Sequence, residues 1–182
     1  MSSRTVLAAA AIFSLGATAL SAQQAQQAQP NLTDPEVAHV AVTANSIDVE
    51  AARFALTKTH NAAVREFANL MVTDHNAVIQ QASALAQRLH VTPADNAVSQ
   101  SLQTGARAAK GTLQPLSGAA FDRAYIDREV AYHQAVLDAI DGLLIPTTEN
   151  ADLKQLLTNV RPAVAAHLAH AQQLKTTLMA SR

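Results

Sequence analysis

From residue 34 to 179 apolar side chains return with a period of about 3.6, the signature of amphipathic helix, and they do so in four long runs. Four such stripes can be buried only against one another. The first run, about 34–59, includes Val37, Val40, Ile47 and Phe54; the second, about 62–90, includes Phe67, Met71, Val78 and Leu85. The third, about 119–144, includes Ile126, Val130, Leu137 and Leu144; the fourth, about 151–179, includes Leu157, Val164, Ala171 and Leu174. Much of the apolar content is Ala, Trp is absent and Gly is scarce, a mix that favours close-packed helices over strands. Thr33 or Asp34 is placed to cap the first helix, with Pro35 and Glu36 in its first turn.

Loop lengths order these helices. "THNA" near residue 60 and "IPTTEN" at 145–150 are short enough to force two antiparallel hairpins. About 28 residues, from Val91 to Gly118, separate the hairpins, far beyond the ~2–8 between adjacent bundle helices. That stretch holds a short helix within "ADNAVSQSLQTGARAAK", opened by Pro93 and Asp95 and broken by Gly111 and Pro115. The expectation is an all-α, ferritin-like four-helix bundle over residues 34–180 with a long crossover. A crossover of this length can also fold back to the near end, which leaves a plain up-and-down bundle as the alternative.

Each stripe is interrupted by polar residues: Asp48 in the first, His75 in the second, Glu129 and His133 in the third, His167 in the fourth. At ~1.5 Å rise per residue, Asp48 and His75 lie within ~3 Å in height across the first hairpin. Glu129 and His167 are nearly level across the second, with His133 a turn away. The relative height of the two hairpins is not encoded in these spacings. Imidazole and carboxylate are ligands for zinc, iron or manganese, and bundles assemble metal sites from inward side chains on facing helices. The same residues also suit a buried network in which each imidazole donates to a carboxylate and fixes helix register. Both readings stand at this stage.

The remaining polar residues are assigned elsewhere. His39 points off its stripe, His60 lies in a turn and His90 ends a helix, so solvated or capping roles are expected. His170 is expected to be exposed, Asp74 lies at the margin of the core face, and Pro162 should kink the fourth helix before His167. Tyr132 adjoins His133 off the core face.

Several functions find no support. A formal net charge of -1 offers no footprint for nucleic acid or an anionic membrane surface. The chain has no cysteine, hence no disulfide, thiolate site or lipid-attachment cysteine. It shows no nucleophile elbow and no Gly-rich phosphate loop.

"MSSRTVLAAAAIFSLGATALSA", residues 1–22, has Arg4, an apolar run too short to span a membrane and small residues before Ala22, the pattern of a cleaved secretory signal. Residues 23–33 are polar and low in complexity, as in a disordered leader. A periplasmic protein follows, with outer-membrane association and an envelope protein partner as further expectations. No transmembrane segment is expected in the mature chain.

"MVTDH", "FDRAYI" with the following "YH", and "RPAVAAHL" together resemble the bacterial domain-of-unknown-function family 4142, exported proteins often labelled outer-membrane proteins. The likeness spans roughly residues 36–178. It implies a ferritin-like bundle, carries His75, His133 and His167 as motif positions, and matches the family's acidic first-helix position, commonly Glu, with Asp48. It implies no reaction. Di-iron relatives use Glu-x-x-His on two helices, whereas the comparable spacing here is Glu129-x-x-x-His133.

Overall fold

The computed structural model describes residues 31–180. The expected signal segment, residues 1–22, lies outside the described residues, as does most of the leader. The elements are α1 (Asp34–Lys58), α2 (Ala62–Arg88), α3 (Ala97–Leu113), α4 (Gly118–Ala139), a π-helical turn (Ile140–Leu144), α5 (Ile145–Thr147) and α6 (Ala151–Ala180). No strand occurs among the described residues, and no helix there is long and apolar enough to cross a membrane.

Caps set the helix ends. Thr33 is the N-cap of α1, and Glu36 reaches back to its backbone N–H at 2.9 Å and its hydroxyl at 2.7 Å. Asp34 instead accepts from the backbone N–H groups of Glu149 and Asn150, tying α1 to the loop before α6. Asn61 caps α2 through the N–H groups of Ala63 and Val64. At the far end of α2, His90 adopts φ 53° while its N–H and that of Val91 bond to Gln87 and Ala86. This is a Schellman motif with histidine in the left-handed position usually given to glycine.

The crossover decides the topology. After α2 the chain meets the start of α1, where Ala94 N–H donates to Pro35 O and the Asn96 amide to Glu36 O. From there α3 follows α1 to its other end, where Lys58 Nζ donates to Gln114 O. Thus α4 starts beside the C-terminal end of α1, with Phe121 packed edge-on to Phe54 and Asp122 accepting from the Thr59 hydroxyl at 2.5 Å. The four long helices run up, down, down, up, as two hairpins joined by one long crossover. The plain up-and-down alternative is thereby excluded.

The crossover helix differs from expectation. It is capped by Asn96 and continues through Gly111 to Leu113. A helical glycine costs only ~1 kcal/mol relative to alanine, and burial of Leu113, 4 % exposed, offsets a cost of that size. The second hairpin loop is also shorter than expected, because helical structure persists to Thr147 through the π turn. Ile145 N–H bonds to Ile140 O, five residues back. Pro146 has no N–H to offer the carbonyl four residues before it, and a widened turn accommodates that loss. α6 continues through Pro162.

Two apolar clusters fill the bundle. One gathers Val37, Val40, Leu85, Leu137, Leu153 and Leu157 near the start of α1; the other gathers Ala55, Phe67, Met71, Phe121, Ile126 and Leu174 near its end. Leu32, just before the cap, is buried in the first. Asp48, His75, Glu129 and His133 lie between the two clusters along their helices, His167 lies beside Leu168 at the edge of the first, and all five are buried. The two hairpins therefore place their polar residues at one height.

Candidate metal centre

The polar layer has two overlapping halves. His75, His133 and His167 each offer a ring nitrogen, and the three nitrogens lie within 4.8 Å of one another. Asp48, Glu129 and His133 form a second group on the same criterion, so His133 belongs to both. Ring centroids of His75, His133 and His167 stand 5.2 to 5.6 Å apart.

Each imidazole is held from outside by its other nitrogen. His133 Nδ1 lies 2.9 Å from the Glu129 carbonyl oxygen, which only accepts, so Nδ1 carries the proton. His75 Nδ1 is 2.7 Å from Asn45 Oδ1, and Asn45 Nδ2 donates to Ala41 O, which fixes the amide oxygen toward the ring. His167 Nε2 donates to Asp74 Oδ2 at 2.9 Å. With neutral rings, the lone pairs remain on His75 Nε2, His133 Nε2 and His167 Nδ1. Those three atoms are buried without a hydrogen-bond partner, as are Asp48 Oδ2 and Glu129 Oε2. His75 Nε2 stands 3.0 Å and His133 Nε2 3.8 Å from Asp48 Oδ2, and the closer contact is not aligned as a hydrogen bond.

The carboxylates are held by a residue outside the sequence expectation. Arg128 Nη1 donates to Asp48 Oδ1 at 2.6 Å and to Glu129 Oε1 at 2.5 Å, leaving the second oxygen of each free. The guanidinium packs 4.2 Å from the Tyr132 ring centroid, and the Tyr132 hydroxyl donates to Ala44 O. On its outer side Arg128 lines a groove between α1 and α3. Burial works to raise Asp48, but His75, in the state where its Nε2 carries a proton, and the Arg128 charge outweigh it and hold the carboxyl far below its ordinary range. Burial prevails at Glu129, against Arg128 and aided by the Asp48 charge, so Glu129 is pushed well up and favours its proton. Burial lowers His133 to about 4 and also lowers His167, against the pull of Asp48 and Asp74 respectively.

All five sequence-predicted residues thus meet in one layer, and three supporting residues join them. Asn45, one turn before Asp48, had a usable signal in its spacing. Arg128 had none, because it is adjacent to Glu129 and adjacent helical residues face different ways; only its long side chain brings the charge inward. Asp74 lies at the margin of its face as expected and orients His167. His170 is half-buried, packed edge-on against Phe67 with centroids 5.2 Å apart, rather than exposed. His60 and His90 are exposed, and His39 is half-buried with Nδ1 3.7 Å from Asp95.

Fold and site together define a helical bundle with a buried histidine–carboxylate layer whose donor types suit a transition-metal ion. The chain belongs to the family described as "Domain of unknown function (DUF4142)", whose model matches residues 19–174. No curated protein matches it significantly. Among solved structures, "CopM in the Cu(II)-bound form" is similar in fold, with a TM-score of 0.61 and 14% identity, covering 81% of this chain and 99% of that one.

Proposed function

We propose that this is an exported, periplasmic metal-binding protein that holds a divalent transition-metal ion with His75, His133, His167 and Asp48, and with Glu129 as a further ligand or supporting carboxylate. One observation carries this reading: His75 Nε2, His133 Nε2, His167 Nδ1 and Asp48 Oδ2 are buried acceptors without a hydrogen-bond donor, while the other nitrogen of every ring is hydrogen-bonded; Glu129 Oε2, also unpartnered, lies 3.5 Å from His133 Nδ1 and near the Tyr125 hydroxyl. The proton favoured by Glu129 can serve one neighbour, which leaves three acceptors unserved. At ~1–3 kcal/mol each, that amounts to roughly 3–9 kcal/mol, comparable to the whole stability of a domain. A water molecule supplies two hydrogens and still leaves one lone pair unmet. A cation meets them all, and the hydrogen-bonded outer nitrogens orient the rings for it.

A buried network in which imidazoles donate to Asp48 and Glu129 is disfavoured, because the ring protons point elsewhere. Zinc, iron and manganese all accept such ligands, and three imidazoles favour zinc or copper(II) over manganese. The similar fold of a protein described as copper(II)-bound supports including copper. Export is supported by the signal-like residues 1–22.

Tag-free protein should take up one equivalent of zinc or copper(II) by elemental analysis, and its Tm should rise, since a ligand that binds only the native state stabilises it by ~2.7 kcal/mol at a hundredfold excess over Kd. His75→Ala should abolish both effects. An unchanged Tm with zinc, copper, iron and manganese would overturn the proposal.

A further inference from the structure

The seam between α1 and α3 is not filled. Small residues line both sides of it, Ser46 and Ala51 from α1 and Ala106 and Ala109 from α3, and leave a groove of about 470 Å³. Its apolar walls come from Ile47 and Leu113, which are buried, and from Phe54, which is half-buried. Arg128 reaches the groove from α4.

Only one nitrogen of that guanidinium is engaged with the polar layer. Nη1 serves both Asp48 and Glu129, whereas Nε and Nη2 have no hydrogen-bond partner. Both are reached by solvent, unlike the inward atoms of the layer, and the side chain retains 12% of its exposure. A free edge made of Nε and Nη2 is a planar fork of two donors, the geometry that a carboxylate fills with its two oxygens.

Register brings two more cations to the same level. Asn96 is tied to Glu36, 60 positions earlier, and Gln114 to Lys58, 56 positions earlier. Arg107 therefore lies beside the turn 47–51 of α1, the turn that holds Asp48, and Lys110 lies beside 50–54. Both line the groove and are exposed, and neither forms an ion pair among the described residues. Arg107 bonds to the Thr104 hydroxyl on its own helix, and Lys110 Nζ stands 5.7 Å from the Phe54 ring centroid. Glu50 is the one carboxylate of the lining. With Asp48 set against Arg128, and Glu50 against one of the two α3 cations, the groove keeps an excess positive charge. A cation held in the polar layer would add to that sign.

We propose that this groove binds a small organic carboxylate with an apolar body. The carboxylate takes the free edge of Arg128, the body lies along Ile47, Phe54 and Leu113, and Arg107 and Lys110 close over the charged end. An apolar cleft of this size with a few convergent polar groups has the form of a small-molecule site. The contacts involved do not depend on a metal in the layer.

Isothermal titration of the purified protein with 2-naphthoate tests it. Affinity should be at least tenfold higher than for 2-naphthamide, which has the same shape without the charge, and than for acetate, which has the charge without the body. In isotope-labelled protein the Arg128 Nε–H resonance should move as naphthoate is added. Arg107→Gln combined with Lys110→Gln should weaken naphthoate binding about fivefold. Ala106→Phe, or Ala109→Phe should the first variant misfold, should weaken it at least tenfold by filling the groove. Equal affinity for naphthoate and naphthamide, an Arg128 resonance that stays still while naphthoate binds, undiminished binding in the charge variant or in a folded groove-filling variant, or no binding of naphthoate at millimolar concentration each overturns the proposal. Metal uptake is read separately by elemental analysis, so none of these results touches the metal reading.

Discussion

Arg128 on α4 and Asp48 on α1 are joined by a 2.6 Å contact from Nη1 to Oδ1, and the same nitrogen also holds Glu129. Both carboxylates are fully buried, whereas the arginine side chain retains 12% of its exposure. One charge from the surface thus positions two carboxylates and leaves an oxygen of each directed inward.

Arg128→Met should lower the stability of metal-free protein by about 3–5 kcal/mol, because it strands the buried Asp48 charge without its partner. Urea unfolding measures this. A loss under ~1 kcal/mol would mean that the pair is held by other groups.

Asp74→Asn should weaken zinc binding about 10–100-fold without removing a ligand, since the carboxylate orients His167 and raises its basicity. Isothermal titration reads the change. Equal affinity in wild type and variant would contradict the orienting role.

In metal-free protein the His133 ring should titrate near pH 4, well below the ordinary 6.5. The unfolded chain takes up this proton first as pH falls. His133 alone therefore contributes a loss of stability that develops between pH 6.5 and about 4 and is absent above that window. Imidazole NMR shifts give the midpoint directly; a value at or above 6.5 would refute the cause assigned, which is burial.

His90→Gly should raise stability by ~1 kcal/mol, because φ 53° costs a side-chain-bearing residue that much more than glycine. The same unfolding assay decides it, and a neutral or negative effect would show that the ring makes compensating contacts.

Several features were legible residue by residue. The first helix starts at Asp34 and the last is expected to end at 179 against Ala180 in the structure, because caps and a 3.6 period are local properties. The five polar interruptions were readable for the same reason, since each breaks a stripe fixed by its own helix. Boundaries failed where tertiary burial overrode a local breaker, as at Gly111, or where a helix changed its hydrogen-bond pattern instead of ending, as before Pro146.

The sequence by itself determined four amphipathic helices, their pairing into hairpins and which polar side chain each helix turns inward, because short-range spacing dictates all three. Only the tertiary structure decided that the two hairpins bring those side chains to one height. That offset depends on how α3 spans the length of α1 and on how the two apolar clusters pack on either side of the layer. It also decided that Arg128 reaches Asp48 across the bundle and that the ring protons of His75, His133 and His167 point outward. Those contacts join residues 30 to 93 positions apart in most cases, a separation at which no periodicity carries information and packing alone sets the distance.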